Sequence, residues 1–112
     1  MKIIAQSATL NEIKAMAAAT FGNLLKAVVD VEREVIAVDA ELHSDLEALL
    51  LEDGSKQKNL WGINLYPEIQ GDDFIEFDSM INMRPSQGNR SRGIESEETR
   101  KKIIDVVMKR IK

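Results

Sequence analysis

The residues best suited to chemistry in this chain form one run, Arg84-Pro85-Ser86-Gln87-Gly88-Asn89-Arg90-Ser91-Arg92-Gly93. It holds three arginines and sits in an acid-free window from Ser79 to Ile94, although the chain carries a formal net charge of −4. A guanidinium is a planar fork of donors that matches phosphate or carboxylate oxygens two at a time. Gly88 and Gly93 permit close backbone approach and positive φ angles, and Ser86, Gln87, Asn89 and Ser91 add neutral hydrogen-bonding groups. The run predicts a loop that binds an anion through Arg84, Ser86, Gly88, Asn89, Arg90, Ser91 and Arg92. Asn64, Asp78 and Asn82 would supply a supporting face. The run contains neither a Walker sequence nor a GxGxxG fingerprint, so it names no nucleotide. The competing reading pairs the arginines with nearby carboxylates and leaves the glycines to shape a turn.

A second group of residues suggests acid–base chemistry. His43 sits in Asp39-Ala40-Glu41-Leu42-His43-Ser44-Asp45, and a neighbouring carboxylate can either favour the imidazolium or orient a neutral imidazole as a base. Glu76 and Asp78 are two residues apart. On a strand they share a face, as a general acid and base or as ligands for a hard cation. His43 and Asp78 are therefore the candidate catalytic residues. With Arg84 or Arg90 stabilising phosphate, they would suit a small hydrolase or a metal-independent ribonuclease resembling a toxin component. A Ser–His–Asp arrangement lacks the nucleophile-elbow context, and Ser44 reads better as a helix cap. With no cysteine and a single histidine, thiolate and multi-histidine metal centres are excluded within one chain, and no cofactor is expected.

Charge narrows the partners. Net negative charge disfavours general nucleic-acid binding, and Glu95, Glu97 and Glu98 follow the arginine run directly. Three arginines neutralise at most three phosphates, which limits the log–log salt slope on single strands to about 2. A small anion is the expected ligand, with nucleic acid bound weakly. Apolar runs are too short to span a membrane, and the start lacks a secretory h-region, so the expected protein is soluble and cytoplasmic. A third reading is a homodimeric interaction module that uses valine-rich residues 27–38 as a sheet edge.

Positioning these groups is the task of the regular elements. Thr9-Leu10-Asn11-Glu12 has the form of a capping box, and Leu10, Ile13, Met16, Ala17 and Phe21 follow at helical spacing up to Gly22. Lys2 to Ala5 reads as a short edge strand. Residues 26–39 are rich in valine and free of Gly and Pro, which favours two strands joined around Glu32-Arg33. Ser44-Asp45-Leu46-Glu47 reads as a second capping box, opening a helix that Gly54 closes. Residues 60–66 and 74–84 read as a hairpin with one apolar face, Trp61, Ile63 and Leu65 against Ile75, Phe77, Ile81 and Met83. Ser96 caps a last helix, with Ile103, Ile104, Val107 and Ile111 as its buried stripe. The expected order is α-β-β-α-β-β-α. This is one α+β domain over residues 1–112, a largely antiparallel sheet with helices packed on one face.

The blocks EALLLEDGSKQKNLWGINLYP (47–67) and FIEFDSMINMRPSQGNRSRGI (74–94) resemble a family of small prokaryotic proteins known as a domain of unknown function. The likeness runs along nearly the whole chain. It implies a prokaryotic, cytoplasmic, single-domain protein and assigns no reaction, ligand or catalytic residue.

Overall fold

The computed structural model describes residues Met1–Lys112. The chain forms β1 (Lys2–Ile4), α1 (Leu10–Ala19), β2 (Leu25–Asp30), β3 (Val35–Val38), α2 (His43–Glu52), β4 (Leu60–Leu65), β5 (Ile75–Glu76) and α3 (Glu97–Arg110). All strand pairs are antiparallel, in the order β1-β3-β2-β4-β5. The α+β class, the antiparallel sheet and the three helices agree with the sequence pattern. Thr9 caps α1 with both bonds of the capping box, and Ser96 caps α3 by accepting from the Thr99 N–H. The β2–β3 turn works without Asn-Gly because buried Asp30 supplies its own acceptor. One carboxylate oxygen takes the N–H groups of Glu32 and Arg33, each at 2.9 Å. The other accepts from the Ser55 hydroxyl at 2.6 Å, which ties the turn to the end of α2.

The helices do not all lie on one face. Ala27, Val29, Ile36, Val38, Trp61, Ile63 and Leu65 pack with Ile13 and Ala17 of α1 and with Ile103, Val106 and Val107 of α3. Val28, Val35, Ala37 and Leu60 point the other way and pack against Leu46 and Leu50 of α2. The reason is legible in β2 and β3, whose residues are apolar on both faces, as a strand covered on both sides requires. Two stripe positions also differ. Ile104 is 40 % exposed, with Val106 buried beside Val107, and Phe21 is 43 % exposed beneath the Lys26 ammonium. Residues 27–38 offer no free edge, since β2 lies between β3 and β4, and β3 between β1 and β2. The sheet edges are β1 and β5. No helix is long and apolar enough to cross a membrane.

Two local expectations fail. Helix α2 starts at His43, with Leu42 at the cap position and no side-chain cap, so Ser44 lies inside the first turn. Starting there lets the His43 ring reach the Ile63 carbonyl at 2.8 Å. Residues 74–84 do not form one strand either, because β5 stops at Glu76. Ser79 accepts from the Ile81 N–H and caps a short 3₁₀ turn, Met80–Asn82. The chain thereby crosses the sheet edge: Ile75 and Phe77 pack with the first core, Ile81 with the second. Local side-chain bonding by serine outcompetes the period-two pattern here.

Gly62 makes this crossing possible. A Cβ there would lie 2.5 Å from the Ser79 Cβ and 2.7 Å from its Oγ. Gly62→Ala is expected to lower stability by about 1–3 kcal/mol, the usual cost of overpacking. Urea unfolding measures it, and an unchanged midpoint would show that the Ser79 turn withdraws freely.

Candidate functional site

The predicted anion loop is built around the outer edge of β4. Asn82 holds Gly62 with two bonds, accepting its N–H at 2.8 Å and donating to its carbonyl at 2.9 Å. Arg84 is 8 % exposed. Its Nε donates to the Ile81 carbonyl, one Nη to the carbonyl of Gln57, and the other to the carbonyl of Leu60. The guanidinium also lies 4.4 Å from the centre of the Trp61 ring. Burial pulls its pKa down, and the charge of Glu47 opposes that shift. Asn89 donates to the carbonyls of Asn82, Ser91 and Gly93, and its oxygen accepts the Glu95 N–H. Asn82, Arg84 and Asn89 are therefore committed to the backbone and have little left for a ligand.

The rest of the loop is divided. Arg92 Nε meets Asp78 at 2.7 Å in a half-exposed pair, a kind that contributes little to stability. The N–H groups of Arg90 and Ser91 both point at the Glu95 carboxylate, at 2.6 and 3.1 Å, so an internal anion already fills that backbone nest. The side chains of Ser86, Arg90 and Ser91 are exposed. Gly88 adopts φ 80°, which closes the turn after Pro85.

What the loop does form is a wall. Gln87, Gly88 and Asn89 line one side of a hollow of about 310 Å³. Ser96, Thr99 and Lys102, spaced by three along α3, line another, and Lys58, Asn59, Trp61 and Val31 complete it. No acid lines this hollow. Lys102 has one exposed partner, Glu98 at 3.6 Å, and Lys58 has none. The positive end of the α3 dipole adds to their field. Sequence reasoning missed Lys58, Ser96, Thr99 and Lys102. The i, i+3 spacing of the last three was the available signal.

His43 lies across the sheet from this hollow, at the start of α2. It is buried, and its Nε2–H donates to the Ile63 carbonyl, which leaves Nδ1 as the basic nitrogen. Desolvation holds its pKa below the ordinary value, against the opposing effect of that hydrogen bond. Lys26, Asp78 and Arg92 are near enough for their charges to act on the ring. Asn64 joins the same face. It donates to Glu76 at 2.8 Å, as does the Tyr66 hydroxyl at 3.1 Å, and its own oxygen is buried without a partner. Burial, then the Glu76 bond, raises the Tyr66 pKa, so the phenol stays a donor. The charges of Asp78 and Arg92, which pair with each other, thus act on His43, and none of these three residues lines the hollow beside Gln87–Asn89. None of the three main hollows is lined by His43 or Asp78.

The depressed histidine pKa has a stability consequence. The unfolded chain takes up a proton near 6.5, whereas the folded chain does so only at lower pH. Stability is full above 6.5 and falls as pH drops toward the folded value. His43 is the single histidine, so its NMR titration is unambiguous. A midpoint below 6.5 is expected, together with a flatter pH–stability curve in that window for His43→Gln. A midpoint at 6.5 would mean that the ring is solvated, and one above it that the Asp78 charge and the Ile63 hydrogen bond outweigh burial.

No curated protein and no solved structure matches this chain. One family model does, over residues 2–110, and on that match the chain belongs to the family described as a protein of unknown function, DUF5674.

Proposed function

We propose that this protein binds a small phosphate- or carboxylate-bearing ligand in the hollow between loop 84–93 and the start of α3. The observation that carries the reading is the acid-free lining with two lysines, in a chain where acids outnumber bases 19 to 15. Its volume of about 310 Å³ suits a compact ligand. In this reading the loop contributes a rigid wall, and Lys58 and Lys102 supply the charge that the sequence pattern assigned to arginines. The neutral groups of Gln87, Ser96 and Thr99 would orient the ligand.

Trp61 is the single tryptophan and lines the hollow, so its fluorescence reports on occupancy. Titration with inorganic phosphate, sugar phosphates and nucleotides should perturb it. A charge-assisted bond contributes about 1.5–3 kcal/mol, so Lys58→Gln with Lys102→Gln should weaken binding by at least about a hundredfold. Equal binding by wild type and the double variant would refute the reading. Two lysines also limit the salt slope on single-stranded oligonucleotides to about 1.4, measurable by anisotropy. A steeper slope would reveal a wider basic surface.

A second reading, acid–base catalysis such as RNA cleavage, rests on a desolvated imidazole within the field of the Asp78–Arg92 pair. RNA cleavage that disappears with His43→Ala would support it, and absence of turnover by the wild type would remove it.

A further inference from the structure

A different face of α3 borders a cleft of about 910 Å³. Its other walls are the start of α1 and the β4–β5 connection. The floor is apolar, with Phe74, Ile75 and Phe77 beneath Ile104 and Met108. The last two are 40 % and 63 % exposed, so this surface is open to a ligand. Arg100 lies in the same wall. Its Nε is buried with no hydrogen-bond partner. The other cations of α3 are all engaged: Lys101 with Asp105, Lys102 with Glu98, Lys109 with Glu34, and Arg110 with the Glu34 carbonyl. Arg84, whose guanidinium is buried, shows the contrast, since carbonyls take its donors. A buried donor without an acceptor is costly, and such groups call for a missing partner.

We infer that this cleft is a second ligand site, for a small monocarboxylate with an apolar tail, whose carboxylate pairs with Arg100 while the tail lies on Phe74, Phe77, Ile104 and Met108. The charge of the rim sets the valence. Glu68, Asp72 and Glu97 line the same cleft together with Lys14, Lys101 and Lys112, and Lys14 pairs with Glu68 and Lys101 with Asp105. In this mixed lining the acids oppose a polyanion, whereas a single carboxylate held against the Arg100 guanidinium remains favourable. Apolar floor and a guanidinium with an unpaired donor together match an aliphatic or aryl acid, and the flexible Met108 side chain adapts to its tail. This site differs in chemistry from the lysine-lined hollow and does not depend on it.

The test titrates the full chain with octanoate, octanol and inorganic phosphate, following backbone amide shifts. Octanoate should shift amides in 67–77 and 100–111 and approach saturation near 1 mM, on the order expected for a ligand of its size. Octanol should bind at least about tenfold more weakly, because it lacks the charge-assisted pair. Phosphate should leave these amides unmoved. Arg100→Gln should cost at least about tenfold in octanoate affinity, with partial rescue by Arg100→Lys. Lys58→Gln with Lys102→Gln should leave octanoate binding unchanged, which separates this site from the one above. Equal binding of octanol and octanoate overturns the inference on the wild type alone, whether or not the Arg100 variants fold. So does an absence of shifts. A dimer in sedimentation that protects the same amides without octanoate also overturns it, since a second copy would then cover the cleft.

Discussion

The outer edge of β4 must be hydrogen-bonded, and β5 is too short to do it. Strand β5 pairs only with Asn64 and Leu65, so the carbonyl of Leu60 and both polar groups of Gly62 would otherwise lack partners. An unpaired buried backbone group costs as much as a lost hydrogen bond, commonly about 1–3 kcal/mol. The chain meets this demand with side chains in place of a strand. The Asn82 amide reproduces the two bonds of a ladder rung on Gly62, and the Arg84 guanidinium satisfies Leu60 and reaches Gln57. Gly62 allows the approach, since any Cβ there would strike Ser79.

This solution governs the loop that follows. Once Asn82 and Arg84 are fixed on β4, the ten residues after them begin from an anchored point, and Asn89 fastens their far end by bonding four backbone groups. Asparagine and arginine are suited to the task because each presents several hydrogen-bonding groups in a fixed planar geometry. Lysine in place of Arg84 would offer a point charge where three directed donors are needed. Stiffness in the loop is then a product of strand-edge satisfaction, and a stiff wall can orient a ligand with less ordering cost.

The sequence revealed much of the fold because local signals agreed. The capping box at Thr9, the Ser96 cap, the valines of β2 and β3 and the apolar parity of Trp61, Ile63 and Leu65 each have one dominant physical reading. It failed where a side chain's partner is far along the chain. Arg84 and Arg92 look alike in sequence, yet one is buried on carbonyls 24 and 27 residues away and the other meets Asp78. Much of the positive charge of the acid-free window is therefore structural. The pairing of Lys58 with Lys102 was invisible because they lie 44 residues apart on opposite sides of the hollow they share. The one-face expectation failed on a signal that was present: β3 has no polar position to turn toward solvent.

Crossing the sheet edge also decides which groups can act together. The chain leaves the first core after Phe77 and enters the second at Ile81, so loop 84–93 starts at the boundary between the two faces. Its Arg92 end joins Asp78 within the field of His43, while Gln87–Asn89 line the hollow beside Trp61 and α3. Packed layers are about 10 Å apart, so one compact ligand cannot touch both faces through a filled sheet. Any acid–base chemistry at His43 and any anion binding at Lys58 and Lys102 are therefore separate problems for the chain. The Asp78–Arg92 pair compensates charge on the imidazole side, whereas the lysine side has no acid in its lining. That asymmetry favours the lysine side as the place where an incoming anion supplies the missing charge.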